Sequence, residues 1–123
     1  MFAAILESGD YPRLYTGLSL IVSATSDNRR VLALATFGAL PLLLDPELES
    51  RAQAAHHVIE PEREAFARTL AQLRDAAAPA IWACAAAVQA TGADWATVQD
   101  RLAGVMSIPQ FMREIADAQL VIV

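Results

Sequence analysis

Cys84 is the residue whose type and position point most directly to chemistry. It is the only cysteine among 123 residues, and it stands between an apolar run, Ala80–Ala83, and an alanine-rich stretch that begins at Ala85. If the run is a strand and the stretch a helix, the thiol lies at a helix N-terminus, where free N–H groups and the helix dipole stabilise a thiolate. The other interpretation is that Cys84 is a small buried hydrophobic residue.

Three further residues are candidates for the lining of a pocket beside this thiol. Glu7 follows the first apolar run and could position a substrate or take a proton, although it could also be a solvated residue at a strand end. Gly38 follows the second run, where we expect it to supply a turn. Trp82 lies two positions before Cys84 and could line a pocket or belong to the core.

The sequence predicts no cofactor site and no metal site. His56 and His57 are adjacent, so they point in different directions on a helix or a strand and cannot share one metal ion. One of them could still act as an acid or base if its loop folds over Cys84. There is no glycine-rich phosphate-binding fingerprint, and all nine basic residues are Arg, which excludes lysine Schiff-base chemistry and a P-loop lysine.

Five short apolar runs carry the strand signal, and none alternates cleanly between apolar and polar residues. Continuous runs are typical of strands buried on both faces, as in a parallel sheet. Helical patterns separate them, which indicates βαβ units. The predicted strands are Phe2–Leu6, Arg30–Thr36, Ala80–Ala83, Gly104–Met106 and Leu120–Val123, and the predicted helices are Tyr11–Ser26, Pro61–Ala77, Ala85–Ala90, Asp94–Leu102 and Pro109–Ala116. Asp10 and Asp94 can cap the starts of their helices, and Gly92 is a helix C-cap signal.

These elements predict one domain over residues 1–123, in the α/β class. We expect a three-layer α/β/α sandwich with a mainly parallel five-stranded sheet and the first strand in its interior. Residues 45–60 are acidic and long for a loop, with a short helix plausible over Glu47–Ala55, so we expect a mobile excursion or an oligomer contact there. The stripe Leu40 and Leu42–Leu44 is more often core than interface, but an apolar content of 55% is more than 123 residues easily bury, which favours a homo-oligomer.

Composition and charge exclude several classes of protein. A net charge of −5 argues against nucleic-acid binding, and a single cysteine cannot form an internal disulfide. No apolar run approaches the roughly 20 residues that a membrane-spanning helix needs. The run Phe2–Leu6 has no basic residue before it and Glu7 directly after it, so we expect no signal peptide and a cytoplasmic protein.

The order of these segments resembles that of the DsrE/DsrF-like proteins over nearly all of the chain. The second half carries most of the resemblance: an apolar strand ending in Cys, a short helix of small residues, a Gly, an Asp-headed helix, a Gly-Val step and a final Asp-Ala strand. These segments read APAIWAC, AAAVQATGADWATVQDRLAGV and DAQLVIV, and the first half adds the ESGDYP loop and the Phe-Gly pair after the second strand.

The resemblance implies an α/β/α sandwich, a homo- or hetero-oligomer and intracellular sulfur handling. In the sulfur-relay members, a cysteine at the position of Cys84 carries sulfur as a persulfide between partner proteins. It therefore implies a sulfur carrier, possible sulfurtransferase activity, and donor and acceptor proteins as partners. A lone cysteine suits a carrier, because a second nearby thiol would release the sulfur by forming a disulfide.

Two other functions stay open. The first is a non-catalytic oligomeric module that binds a ligand or partner at the sheet edge and has a structural Cys84. The second is a flavodoxin-type nucleotide- or flavin-binding domain, which the fold class allows but no phosphate loop supports. The sulfur carrier predicts an exposed, reactive thiol, and the binding module predicts a buried, inert one.

Overall fold

The computed structural model describes residues 1–123 as five strands and seven helices. The strands are β1 (Phe2–Leu6), β2 (Val31–Ala35), β3 (Ile81–Cys84), β4 (Gly104–Met106) and β5 (Gln119–Ile122). The helices are α1 (Tyr11–Ser26), α2 (Ala39–Leu44), α3 (Leu48–Ala54), α4 (Arg63–Ala77), α5 (Ala85–Thr91), α6 (Trp95–Arg101) and α7 (Ile108–Glu114). Every predicted strand is present, within two residues of its predicted ends.

The strands form one parallel sheet in the order β4-β3-β2-β1-β5. The first strand is interior, as predicted, because β1 pairs with β2 on one side and with β5 on the other. The register aligns Phe2 with Val31 and with Gln119. All five strands therefore end at one carboxyl edge, where loops from different parts of the chain meet.

The direction of the crossovers decides which face of the sheet each helix covers. From β1 to β4 the chain always steps the same way across the sheet, so right-handed crossovers place α1 to α6 on one face. The connection from β4 to β5 runs back across the sheet, which places α7 on the other face. The predicted three-layer α/β/α architecture is confirmed.

The sheet face under α7 is thinly covered, and we refer to it as the α7 face. Paired residues of parallel strands point to the same side, so this face carries Ala3, Ile5, Leu32, Leu34, Trp82, Cys84, Met106, Leu120 and Ile122. Helix α7 has only seven residues, and it buries Phe111 completely. Leu120 remains 39% exposed and Ile122 59% exposed.

Polar caps fix the ends of several helices. The side chains of Asp10, Asp94 and Ser107 accept hydrogen bonds from backbone N–H groups in the first turns of α1, α6 and α7. Gly92 ends α5 in the left-handed conformation, with φ of 68°. The caps predicted at Asp10, Asp94 and Gly92 are therefore confirmed.

The region between β2 and β3 contains a helix that the sequence pattern did not reveal. The leucine-rich stripe forms α2, in which Leu40 and Leu43 are buried, while α3 lies within the predicted Glu47–Ala55 helix and packs against α4. Helix α4 begins at Arg63 rather than at Pro61, because Glu60–Glu62 forms a separate turn of 3-10 helix. The segment 45–60 is thus largely folded onto the α1–α4 layer.

Candidate functional site

Cys84 lies where the sequence places it, at the carboxyl end of β3 and at the N-cap of α5. Its backbone is extended, with φ of −64° and ψ of 125°, and its side chain makes no capping hydrogen bond. The residue is a free cysteine with 0% exposure. The expected exposed thiol is therefore not what the folded chain presents, since a reagent reaches Sγ only after some part of the structure opens.

The cover over Cys84 comes from the α7 face. Cys84 pairs with Met106, the last residue of β4, which is itself 5% exposed, and α7 begins two residues later at Ile108. Phe111 of α7 is fully buried beneath that helix. By its register the thiol lies on the side of the sheet that α7 covers, and it is completely buried there.

Glu7 and Gly38 lie on the same edge of the sheet as Cys84, and the contacts that they make there are backbone contacts. The Glu7 N–H donates to the carbonyl of Val123 at 2.7 Å. A Cβ built on Gly38 would overlap the Glu7 carbonyl oxygen and would lie 2.7 Å from the Gly9 nitrogen, so only glycine lets the loops after β1 and β2 approach so closely. Because β2 separates β1 from β3, Glu7 and Cys84 are about 10 Å apart across two strand spacings.

The histidine segment docks onto the start of α1 rather than over Cys84. His57 Nδ1 lies 3.8 Å from Asp10 Oδ1, and the imidazole packs edge-on against Tyr11 with ring centroids 5.7 Å apart. His56 adopts a positive φ of 59°. The separation of His57 and Asp10 along the chain hid this pairing from the sequence pattern, which marked Asp10 only as a helix cap.

Trp82 borders a cavity on the α7 face. The cavity has a volume of about 350 Å³ and lies between the sheet and α7, with Leu32, Trp82 and Met106 among its lining residues. A Cβ built on Gly104, which pairs with Trp82, would lie 2.7 Å from the indole ring. Cys84 is not among the lining residues, so the cavity and the thiol are separate features of the same face.

Other parts of the surface offer no stronger site. Trp95, the first residue of α6, is 56% exposed. A polar cavity of about 780 Å³ lies between α3 and α4, but no group of three or more His, Cys, Asp or Glu side chains is placed to hold a metal ion. None of the helices is both long and apolar enough to cross a membrane.

The comparisons with known proteins give no information about this site. No protein-family model matches the chain, and the search of the curated proteins finds no match. The resemblance to the DsrE/DsrF-like proteins therefore stays a prediction from the sequence.

Proposed function

We propose that this chain is a sulfur carrier that holds sulfane sulfur as a persulfide on Cys84 and passes it to a partner thiol. The observation that carries the proposal is the position of Cys84, the only thiol, at the carboxyl end of an interior parallel strand and at a helix N-cap. The resemblance of the APAIWAC strand and the segments after it to the DsrE/DsrF-like proteins supports the same role.

The chemistry requires one thiol and no external oxidant. The Cys84 thiolate attacks the outer sulfur of a donor persulfide, R–S–S–H. A new S–S bond forms between Cys84 Sγ and that sulfur, the S–S bond of the donor breaks, and the donor leaves as R–S⁻; the product is Cys84–S–S–H. An acceptor thiolate then attacks the outer sulfur of Cys84–S–S–H and regenerates the Cys84 thiolate, so neither step changes the overall oxidation state. No second cysteine of the chain can attack the persulfide and discharge it.

Because the thiol is buried, part of the structure must open before the thiol can react. A persulfide in open contact with solvent loses its outer sulfur to small thiols by exchange, so enclosure protects the cargo. Loading and unloading then require displacement of the cover, and α7 is the candidate gate because it is one short helix without a second layer over it.

The proposed partners meet the protein on the α7 face. Ile108 and Met112 of α7 are 47% and 52% exposed, and Leu120 and Ile122 of β5 add further exposed apolar surface beside them. Apolar groups in this number on one face favour association with a sulfur donor, an acceptor or a second copy of the chain. The reduced lone thiol suits a cytoplasmic location.

The complete burial of Cys84 favours a second candidate function. A thiol with 0% exposure is also what a structural core cysteine shows. In this alternative the chain is a non-catalytic oligomeric module that binds a ligand or partner, and Cys84 contributes only packing.

One mass measurement separates the two functions. The native protein is exposed to polysulfide without reductant, and its intact mass is compared with that of Cys84→Ala treated in the same way. A carrier gains the mass of one sulfur atom, loses it on addition of a reductant, and shows no gain in the alanine variant.

The controls decide how a negative result is understood. Brief exposure to polysulfide in a concentration of urea that opens the chain shows whether the thiol can be loaded at all. Loading only in the opened chain, with no native gain over hours, overturns the carrier proposal and leaves the binding module. A native gain that persists in Cys84→Ala also overturns it.

A further inference from the structure

The cavity beside Trp82 has the construction of a small-molecule site, and we refer to it as the Trp82 groove. Its apolar lining includes Leu32, Trp82 and Met106 on the α7 face, which we call the floor, and its polar lining is Arg30, Gln110 and Glu114, which we call the rim. An apolar floor with a few polar groups at its margin is the usual composition of a ligand pocket, and about 350 Å³ lies at the small end of the range for such pockets.

The lining of the groove includes an aromatic side chain that is partly open to solvent. Trp82 is only partly buried, although the flanking Ile81 and Ala83 have 0% exposure. The indole lies across Gly104 on the neighbouring strand, and any side chain at Gly104 would lift the ring, since a Cβ there would come within 2.7 Å of it. An indole ring that is partly open can offer a face for stacking with another planar ring.

The rim carries opposite charges that do not satisfy one another. Neither the guanidinium of Arg30 nor the carboxylate of Glu114 takes part in any of the ion pairs of the structure, and both residues are exposed. Arg30 directly precedes β2, and Glu114 is the last residue of α7. The two charges therefore come from the two sides of the groove, the sheet and the helix. A free guanidinium recognises a carboxylate by paired hydrogen bonds, and a free carboxylate accepts from an amino or hydroxyl group.

We propose that the Trp82 groove binds a single-ring aromatic carboxylate that carries a hydrogen-bond donor away from its carboxyl group. The ring stacks on Trp82, the carboxylate pairs with Arg30, and the donor reaches Glu114 or Gln110. This site is independent of sulfur carriage, because Cys84 does not line the groove. Failure of either proposal therefore leaves the other intact.

The experiment follows the two indole N–H signals of ¹⁵N-labelled protein by NMR during titration with 4-aminobenzoate. Trp95→Phe assigns the signals, and the exposed Trp95 on α6 serves as an internal control because it lies outside the groove. We expect a saturable shift of the Trp82 signal and none of the Trp95 signal. The matched probe 4-aminobenzamide, which lacks the carboxylate, should bind more weakly.

Two arginine variants test the contact with the rim. Arg30→Gln should weaken binding of 4-aminobenzoate about fivefold, which corresponds to the upper end of the range for an exposed ion pair. Arg113→Gln removes the same charge from α7, outside the groove lining, and should leave the affinity unchanged. Arg30→Gln should not change the weaker binding of 4-aminobenzamide.

Three outcomes overturn the proposal. One is a shift that rises linearly without saturation, and another is equal affinity of the native protein and Arg30→Gln for 4-aminobenzoate. The third is a Trp82 signal that responds only to protein concentration, with dimer formation by sedimentation, since a second copy of the chain would then occupy the groove.

Discussion

Gly104 lies against the indole of Trp82, so that a methyl group in its place would come within 2.7 Å of the ring. The same glycine has φ of 151°, a backbone conformation that residues with a side chain rarely adopt. Strand β4 and the position of the indole on the α7 face therefore depend on one residue without a side chain.

Gly104→Ala should destabilise the protein by about 3 kcal/mol, because backbone strain and overlap with the indole add together. Gly92→Ala is the matched control: its φ is 68°, but open space surrounds the added methyl group, so only the strain of about 1–2 kcal/mol applies. Urea unfolding measures both. Equal losses in the two variants would contradict the predicted contact with Trp82.

Cys84→Ser should be more stable than Cys84→Ala by about 1 kcal/mol, because residue 84 is the N-cap of α5 and serine is a preferred capping residue, whereas alanine is not. The serine Oγ can accept from a backbone N–H of the first turn, a hydrogen bond that the cysteine side chain does not make. Thermal unfolding of the two variants checks this order. A serine variant less stable than the alanine variant would show that the buried hydroxyl has no partner at this cap.

Removal of the α7 cap should speed labelling of Cys84 if α7 is the gate. Ser107→Ala deletes the side chain that accepts from Gln110 N at 3.2 Å, a loss of about 1 kcal/mol, which corresponds to about a fivefold increase in the rate of thiol labelling. Native-state labelling with a maleimide, followed by mass spectrometry, gives the rate.

Asp94→Ala is the control for this gate. It deletes an equivalent cap, at 3.1 Å from Thr97 N on α6, which lies on the opposite face of the sheet. If Cys84 is labelled through an opening of α7, the labelling rate of Asp94→Ala should equal that of the native protein. Equal acceleration in both variants would instead mean that the thiol reacts through global unfolding, and α7 would not be the gate.

Asp10→Ala should destabilise the protein by about 1 kcal/mol, because the carboxylate caps α1 through Arg13 N at 3.1 Å. Asp10→Asn keeps a capping oxygen and loses only the charge beside His57, so it should stay within about 0.5 kcal/mol of the native protein. Chemical unfolding measures both. If Asp10→Asn lost as much stability as Asp10→Ala, the charge beside His57, and not the capping hydrogen bond, would account for the stabilisation.

The strands could be predicted from the sequence because each is an almost continuous apolar run, although only β1, β2 and β3 are largely buried and β5 is mostly exposed. The Ala-Ile-Trp-Ala-Cys run, the Asp10 and Asp94 caps and the Gly92 helix end are local signals, and the structure confirms each of them. Helix α2 was missed because Pro41 interrupts a run of leucines, and a proline inside an apolar run is typical of a break.

The environment of Cys84 could be predicted only in part. Its place at the end of β3 follows from residues on either side of it, whereas the layer on its side of the sheet is α7, which begins 24 positions later, after β4. The pairing of His57 with Asp10 likewise depends on the docking of α3 and the following loop onto the α1 layer. Both are long-range contacts, and a local pattern of residue types does not specify them.

The pairing of β1 with β5 joins Phe2 to Gln119, two residues from opposite parts of the chain. On the ribosome, β1 emerges before β5, and the edge of β1 that faces β5 stays unpaired until β5 has been made. Such a distant contact slows folding, because the entropy of closing a long loop is lost before the strand pairing stabilises the chain. An unpaired apolar edge can meanwhile pair with a neighbouring nascent chain. The fold therefore places the greatest risk of misassembly in the interval before its last strand arrives.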